Sequence, residues 1–215
     1  MHWKSASAYA IALLGLAPTS YAANSVVFRD AQSGFTFSSY DAQYVIGSTI
    51  AYRIAIPSDA TASAPYDAVI QVVAPVAVGW AGLAWGGSMV RNPLAVGWAS
   101  GSTPVVSSRW ATGHTTPAAY PSAVYTLLSK ATEVNGTHWK YTALCTGCTS
   151  FAGSTGTNIL NPDGENRFAF AYSSSKPSGT SPDTTINVHS VTNYWTHDFA
   201  AAKNDNFDAL VQQNA

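Results

Sequence analysis

Ala68-Val69-Ile70-Gln71-Val72-Val73-Ala74-Pro75-Val76-Ala77-Val78-Gly79-Trp80-Ala81-Gly82-Leu83-Ala84-Trp85-Gly86-Gly87 carries one polar side chain, Gln71, in twenty positions. As a helix rising about 1.5 Å per residue, it would match the roughly 30 Å hydrocarbon core of a membrane. Composition argues otherwise: Pro75 stands near the middle, and four glycines and six β-branched residues crowd the run. The stretch therefore reads as two buried strands joined between Ala74-Pro75 and Gly79, which commits the chain to β structure.

The flanks agree. Ile50, Tyr52, Ile54 and Ile56 alternate with Ala51, Arg53 and Ala55 up to Pro57, the period of a half-buried strand. Similar runs recur at Tyr66 to Val73, Gly79 to Trp85, Leu94 to Trp98, Val105 to Trp110, Val124 to Val134, His138 to Leu144 and Phe168 to Ser173. Their close spacing predicts an antiparallel sandwich rather than a parallel α/β fold. Asn135-Gly136 between two runs predicts a hairpin turn. Asp198 to Val211, opened by Asp and rich in Ala, is the one stretch that predicts a helix.

At 215 residues, with 47% hydrophobic and 10% charged residues, the chain reads as one folded domain. Ten basic against eleven acidic residues leave no stripe of charge for phosphates, so no nucleic-acid partner is expected. Residues 1–22 have the form of a secretory signal peptide: Lys4, an apolar run from Ala8 to Ala17, and the small-x-small ending Ser20-Tyr21-Ala22. The run is too short for a membrane anchor, so the expectation is a secreted, extracellular domain over residues 23–215, off the membrane and monomeric. Cys145 and Cys148 suit a short disulfide in that oxidising setting, and neither a zinc site nor c-type haem attachment finds its remaining ligands. Asn135-Gly136-Thr137 is a glycosylation sequon at the hairpin tip.

Chemistry-bearing residues are few. Beyond the leader the chain has one methionine, Met89, and four histidines: His114, His138, His189 and His197. Met89 follows Gly86-Gly87, which lets the backbone pass close to something bulky and present a thioether at a strand end. Thioether and imidazole together form the axial set of high-potential electron-transfer haem iron; core filler is the other reading of Met89. Hydrolases lack their marks here, with no Gly-x-Ser-x-Gly elbow and no acidic pair in an apolar setting. A Gly-x-Gly-x-x-Gly nucleotide turn is absent too, and the expected Ala23 terminus does not suit a histidine-brace copper oxygenase.

Val72 to Met89 closely resembles the cytochrome domain of fungal cellobiose dehydrogenases, as do Val105-Val106-Ser107-Ser108-Arg109-Trp110-Ala111-Thr112-Gly113, Asn135 to Lys140 and Cys145-Thr146-Gly147-Cys148. The resemblance implies an immunoglobulin-like antiparallel β-sandwich with non-covalent haem b at one end. Met89 falls on the family's methionine ligand, and His189, with Asp198-Phe199 nine positions on and Asn206-Phe207 beyond, on its histidine. His197 is the rival, and His138 reads as a surface or packing residue. Trp80, Trp85, Trp98 and Trp110 are candidate pocket walls, Arg109 a candidate propionate partner, and His114 stands where relatives commonly carry an aromatic residue near a propionate. With both axial positions filled, the iron would exchange electrons rather than activate oxygen. The 215 residues resemble the electron-carrying part alone, so the implied donor is a flavin-dependent dehydrogenase and the acceptor a copper polysaccharide monooxygenase, a quinone or ferric iron. A haem-free carbohydrate-binding sandwich and a haem carrier without redox partners are the alternatives.

Overall fold

The computed structural model describes residues 24–153 and 156–215; the expected leader, residues 1–22, lies outside them. Sixteen strands follow in order: β1 (Val26–Arg29), β2 (Thr36–Val45), β3 (Ser48–Pro57), β4 (Ala68–Pro75), β5 (Trp80–Ala84), β6 (Pro93–Ser100), β7 (Thr103–Trp110), β8 (Ala118–Ala119), β9 (Val124–Leu127), β10 (Glu133–Val134), β11 (His138–Thr146), β12 (Ser150–Ala152), β13 (Thr157–Ile159), β14 (Glu165–Ser173), β15 (Val191–Asp198) and β16 (Lys203–Asn204). One α-helix, α1 (Phe207–Asn214), follows.

Two sheets stack. One runs β1-β2-β3-β4-β11-β10, with β9 on β11 and β16 on β3; the other runs β15-β14-β5-β6-β7-β8, and β12-β13 is a separate hairpin. Apart from the short β16–β3 pair, ladders between the named strands are antiparallel. The run from Ala68 to Gly87 divides as its composition predicts, β4 ending at Pro75 and β5 starting at Trp80. These two strands belong to different sheets, so the link between them crosses the sandwich. Alternation then assigns faces: Tyr52, Ile54, Ile70, Val72, Leu83, Trp85, Tyr141 and Phe170 fill the interior. The other face of β3 and β4 is covered as well, where Ala55 and Val69 pack with Phe35, Phe37 and the α1 residues Phe207 and Leu210.

The Asn135-Gly136 hairpin forms, but its loop is wider than the dipeptide. Val134 pairs with Trp139, and the Asn135 amide donates to the His138 carbonyl at 2.9 Å. Asn135 Oδ1 accepts from the Thr137 and His138 amides, so a side chain rather than a left-handed glycine shapes the turn.

The helix predicted from Asp198 to Val211 is not one helix. Through Asp198 the chain is still strand β15, paired along β14, and Asp198 Oδ1 accepts from the Ala200 amide to start only a single 3₁₀ turn over Ala200–Ala202. β16 intervenes before α1 begins. Pairing of Trp195 and His197 into the sandwich outweighs the local Asp signal. Val124 to Val134 likewise divides into β9, a 3₁₀ turn over Ser129–Ala131, and β10.

His197 is fully buried among the rings of Phe168, Trp195 and Phe199. Its Nδ1 accepts from the Trp195 indole at 2.9 Å, whereas Nε2 has no partner in hydrogen-bond geometry. Burial pushes its pKa down to about 3, against a weaker opposite pull from the Ser38 backbone. The imidazole thus stays neutral when folded and takes a proton near its ordinary 6.5 only when unfolded. Stability should be full above about pH 6.5 and decline as pH falls toward 3, with a limiting slope of about 1.4 kcal/mol per pH unit. Urea midpoints across that range should fall less steeply in His197→Gln, which keeps an acceptor for the indole; equal slopes in both proteins would disprove the contribution.

Candidate functional site

Strand parity divides β5. Ala81, Leu83 and Trp85 point into the interior, while Trp80, Gly82 and Ala84 stand on the outward face. Register extends that outward face into two cross-strand rows: Leu94-Ala84-Ala169-Tyr194 and Val96-Gly82-Ala171-Thr192. The middle of both rows is glycine or alanine, leaving a flat, apolar floor across β6, β5, β14 and β15. At about 4.8 Å between strands, four strands extend about 14 Å. Tyr52 donates its hydroxyl to the Gly82 carbonyl at 3.1 Å from below, pinning the floor at its centre.

Over this floor lies a cavity of about 890 Å³, walled by Gly87-Ser88-Met89, by His114 to Pro117 and by Ile186 to His189. It is within the size range of small-molecule and cofactor sites, and its shape suits a broad, planar, mainly apolar ligand. The cavity opens on the outward face of one sheet rather than at a tip of the sandwich, because the floor residues are too small to cover that face themselves.

Met89 and His189, about a hundred positions apart in the chain, line this one cavity together with Trp80 and His114. The rival His197 does not, being sealed in the interior. His138 is exposed at the hairpin. Of the other expected wall residues, Trp85 faces inward and donates its indole N–H to Tyr125 at 2.9 Å. Trp98 backs Trp80 and bonds the Gly179 carbonyl at 3.1 Å, and Trp110 stacks on Tyr120 with ring centres 4.7 Å apart. Arg109 does not line the cavity either: its guanidinium donates to Ser107 Oγ and to the carbonyls of Pro117, Pro182 and Thr184.

The turn carrying Met89 is tightly staked. Asn92 donates to the carbonyls of Ser88 and Val90, both at 3.0 Å. A Cβ on Gly86 would meet Asn92 Oδ1 at 1.6 Å; Gly87 has φ 76°, and its Cβ would meet Arg167 Cγ at 2.5 Å. The bulky neighbours implied by the glycine pair are therefore Asn92 and Arg167. Arg167 also lies over the Tyr194 ring, 4.1 Å from its centre, at the cavity edge.

Among the described residues no Asp or Glu lines the cavity, and Arg109 and Arg167 stand near its sides. Burial lowers the Arg109 pKa, with Asp183 pulling it back up. Such surroundings favour an anionic ligand. An apolar floor with a basic edge, one soft sulfur and one imidazole in the same walls fit haem, an apolar plane with acidic edges.

A family model for the cytochrome domain of cellobiose dehydrogenase matches residues 28–209. The chain belongs to this family. Among curated proteins this cytochrome domain is 30% identical over 211 residues to a pyrroloquinoline quinone-dependent pyranose dehydrogenase of Coprinopsis cinerea, covering 97% of this chain and 28% of that protein. The chain thus spans little more than a quarter of the curated relative it matches. The crystal structure of the cytochrome b domain of pyranose dehydrogenase from Coprinopsis cinerea superposes with TM-score 0.76 at 30% identity, covering 87% of this chain and 94% of that one. The cytochrome domain of Myriococcum thermophilum cellobiose dehydrogenase superposes with TM-score 0.79 at 23% identity, covering 91% and 98%, and shares the fold. Membership implies a haem cofactor and is consistent with electron transfer. Cys145 and Cys148 form the expected disulfide, and no described helix is long and apolar enough to cross a membrane.

The small floor was missed by sequence reading, although Gly82, Ala84, Ala169 and Ala171 share one strand parity. Ala171→Phe projects a ring into the cavity and should leave the fold intact, costing about 1 kcal/mol or less, while abolishing haem uptake in a haemin titration followed by absorbance. Undiminished uptake would show that the ligand lies elsewhere.

Proposed function

We propose that this cytochrome domain is a secreted, monomeric b-type cytochrome that passes single electrons between extracellular redox partners. In this reading residues 1–22 are a signal peptide, residues 23–215 the cytochrome domain, and Asn135 carries a glycan. The observation that carries it is the meeting of Met89 and His189 in one cavity above a flat floor of glycine and alanine. Haem b supplies a one-electron couple at its iron when bound. Met89 and His189 would hold its iron through thioether and imidazole, and the apolar floor would exclude water from the group. A soft thioether ligand favours the reduced iron and so raises the potential. Arg167, over the Tyr194 ring, and His114, in the cavity wall, would meet acidic edge groups.

For the donor, family resemblance suggests a flavin-dependent sugar dehydrogenase, and the Coprinopsis relative widens the class to pyrroloquinoline quinone enzymes. A copper polysaccharide monooxygenase, a quinone or ferric iron would accept. Nothing favours a sugar-binding module, since Tyr194 is the only exposed aromatic residue among the described ones and Arg167 already covers its ring.

Substitution of each ligand tests the assignment. Met89→Ala should lose the six-coordinate low-spin spectrum and show a lower midpoint potential, and His189→Ala should lose it as well, while His197→Gln keeps it. A wild-type spectrum in Met89→Ala would assign the ligand to another residue.

A further inference from the structure

We infer that Arg109 is a positioning residue: its guanidinium clamps the irregular segment that carries His189, together with the facing 114–117 loop, against β7 and so sets the angle from which the imidazole enters the cavity. The His189 role rests on the function proposed above; the clamp itself is a matter of geometry. Arg109 stands beside Leu94 in the first floor row, one strand beyond the cavity, and is 5% exposed. In that position its donors span two separate loops. One terminal nitrogen reaches the Pro117 carbonyl at 3.3 Å, and the other reaches Pro182 at 2.6 Å and Thr184 at 2.8 Å. Nε donates to Ser107 Oγ, which itself donates to Pro182, both at 2.5 Å. These are the loops that wall the cavity on this side.

The two ligand loops are held differently. Met89 lies in a turn with Asn92 at its centre and a bridge from Val90 to Ala111. His189 lies in a stretch without regular structure between Ser181 and β15. Its backbone anchors are few: Thr184 to Ser181 at the near end, and Ser190 to Tyr172 at 2.7 Å just beyond the histidine. Between them Ile186 packs on the Trp80, Val96 and Trp98 cluster. Without Arg109 the near end would keep the Ser107 bond to Pro182, its own local turn and, two residues before Ser181, the Trp98 bond to the Gly179 carbonyl. Lysine cannot replace the fork, because one ammonium on a flexible stem cannot address carbonyls in two directions at fixed angles.

The experiment compares Arg109→Lys, Arg109→Met and His189→Gly with wild type, all loaded with haem. Both Arg109 variants should keep the wild-type far-ultraviolet circular dichroism but show a partly five-coordinate, high-spin spectrum. Haem transfer to an excess of a competing apoprotein should be about ten- to a hundredfold faster, the range seen when groups that orient metal ligands are removed. Added imidazole should restore the low-spin spectrum in the Arg109 variants as in His189→Gly, and the unchanged circular dichroism separates this displaced ligand from a lost fold. Wild-type spectra and transfer rates in both Arg109 variants would overturn the clamp, as would a changed potential with the low-spin spectrum intact, the mark of a direct charge effect on the cofactor. Should neither variant fold, Ser107→Ala removes part of the same network; a wild-type spectrum and transfer rate there would likewise count against the clamp. If wild type itself shows no six-coordinate haem, the functional reading fails separately. The clamp is then read in haem-free protein, as loss of amide-exchange protection at Thr184 and Ser190 in Arg109→Lys, and unchanged protection would refute it.

Discussion

A β-sheet whose outward face carries glycine and alanine in two adjacent rows cannot bury that face with its own side chains, and this constraint shapes everything above it. Gly82, Ala84, Ala169 and Ala171 leave the second sheet flat and apolar on the side facing away from the sandwich. The interior does not depend on them, because the alternate residues Leu83, Trp85, Phe168 and Phe170 fill the core from the same strands. Burial of the core therefore stabilises the fold while the outward face remains available to a ligand. Such a face is unfavourable to leave wet, so walls must rise around it, and they come from loops rather than strands.

Those loops are organised by buried polar side chains. Asn92 occupies the space that Gly86 vacates and holds the Met89 turn through two carbonyls. Arg109 does the equivalent for the segments around Pro117, Pro182 and Thr184 with a larger, charged fork. A buried guanidinium without partners would cost several kcal/mol, so its carbonyl partners and its burial are mutually dependent. Positive charge from Arg167 at the edge, with no Asp or Glu among the described lining residues, favours an anionic ligand. Shape, soft donor, imidazole and charge converge on one class of ligand, and membership in the cytochrome family agrees with it.

Periodicity made most of this architecture legible before any coordinates. The strands at Ile50 to Ile56 and at Phe168 to Ser173 carry period-two patterns, the two across Ala68 to Trp85 show as one apolar run broken between Pro75 and Gly79, and all form. β2 and β15 escaped notice because polar residues occupy buried or paired positions in them: Ser38 is fully buried, and His197 hides in the core behind Trp195. Asp198 imitates a helix start because its carboxylate caps one turn, a local signal that pairing with β14 overrides. Within the site, Met89 and His189 were found through family motifs, and the floor was readable in principle from strand parity. Arg109 was not. Its partners are the backbone carbonyls of Pro117, Pro182 and Thr184, and a carbonyl leaves no trace in residue identity. Trp85, Trp98 and Trp110 misled in the opposite way, since aromatic residues mark cores as readily as pockets, whereas Trp80 does line the cavity.

The central claim is that this cavity holds a six-coordinate b-type haem, and one measurement addresses it directly: the absorption spectrum of the purified, full-length protein before and after dithionite, with a pyridine haemochrome assay. The account predicts a low-spin spectrum that sharpens on reduction and a haem b extracted without covalent attachment. A protein that stays colourless even after haem is added would contradict it.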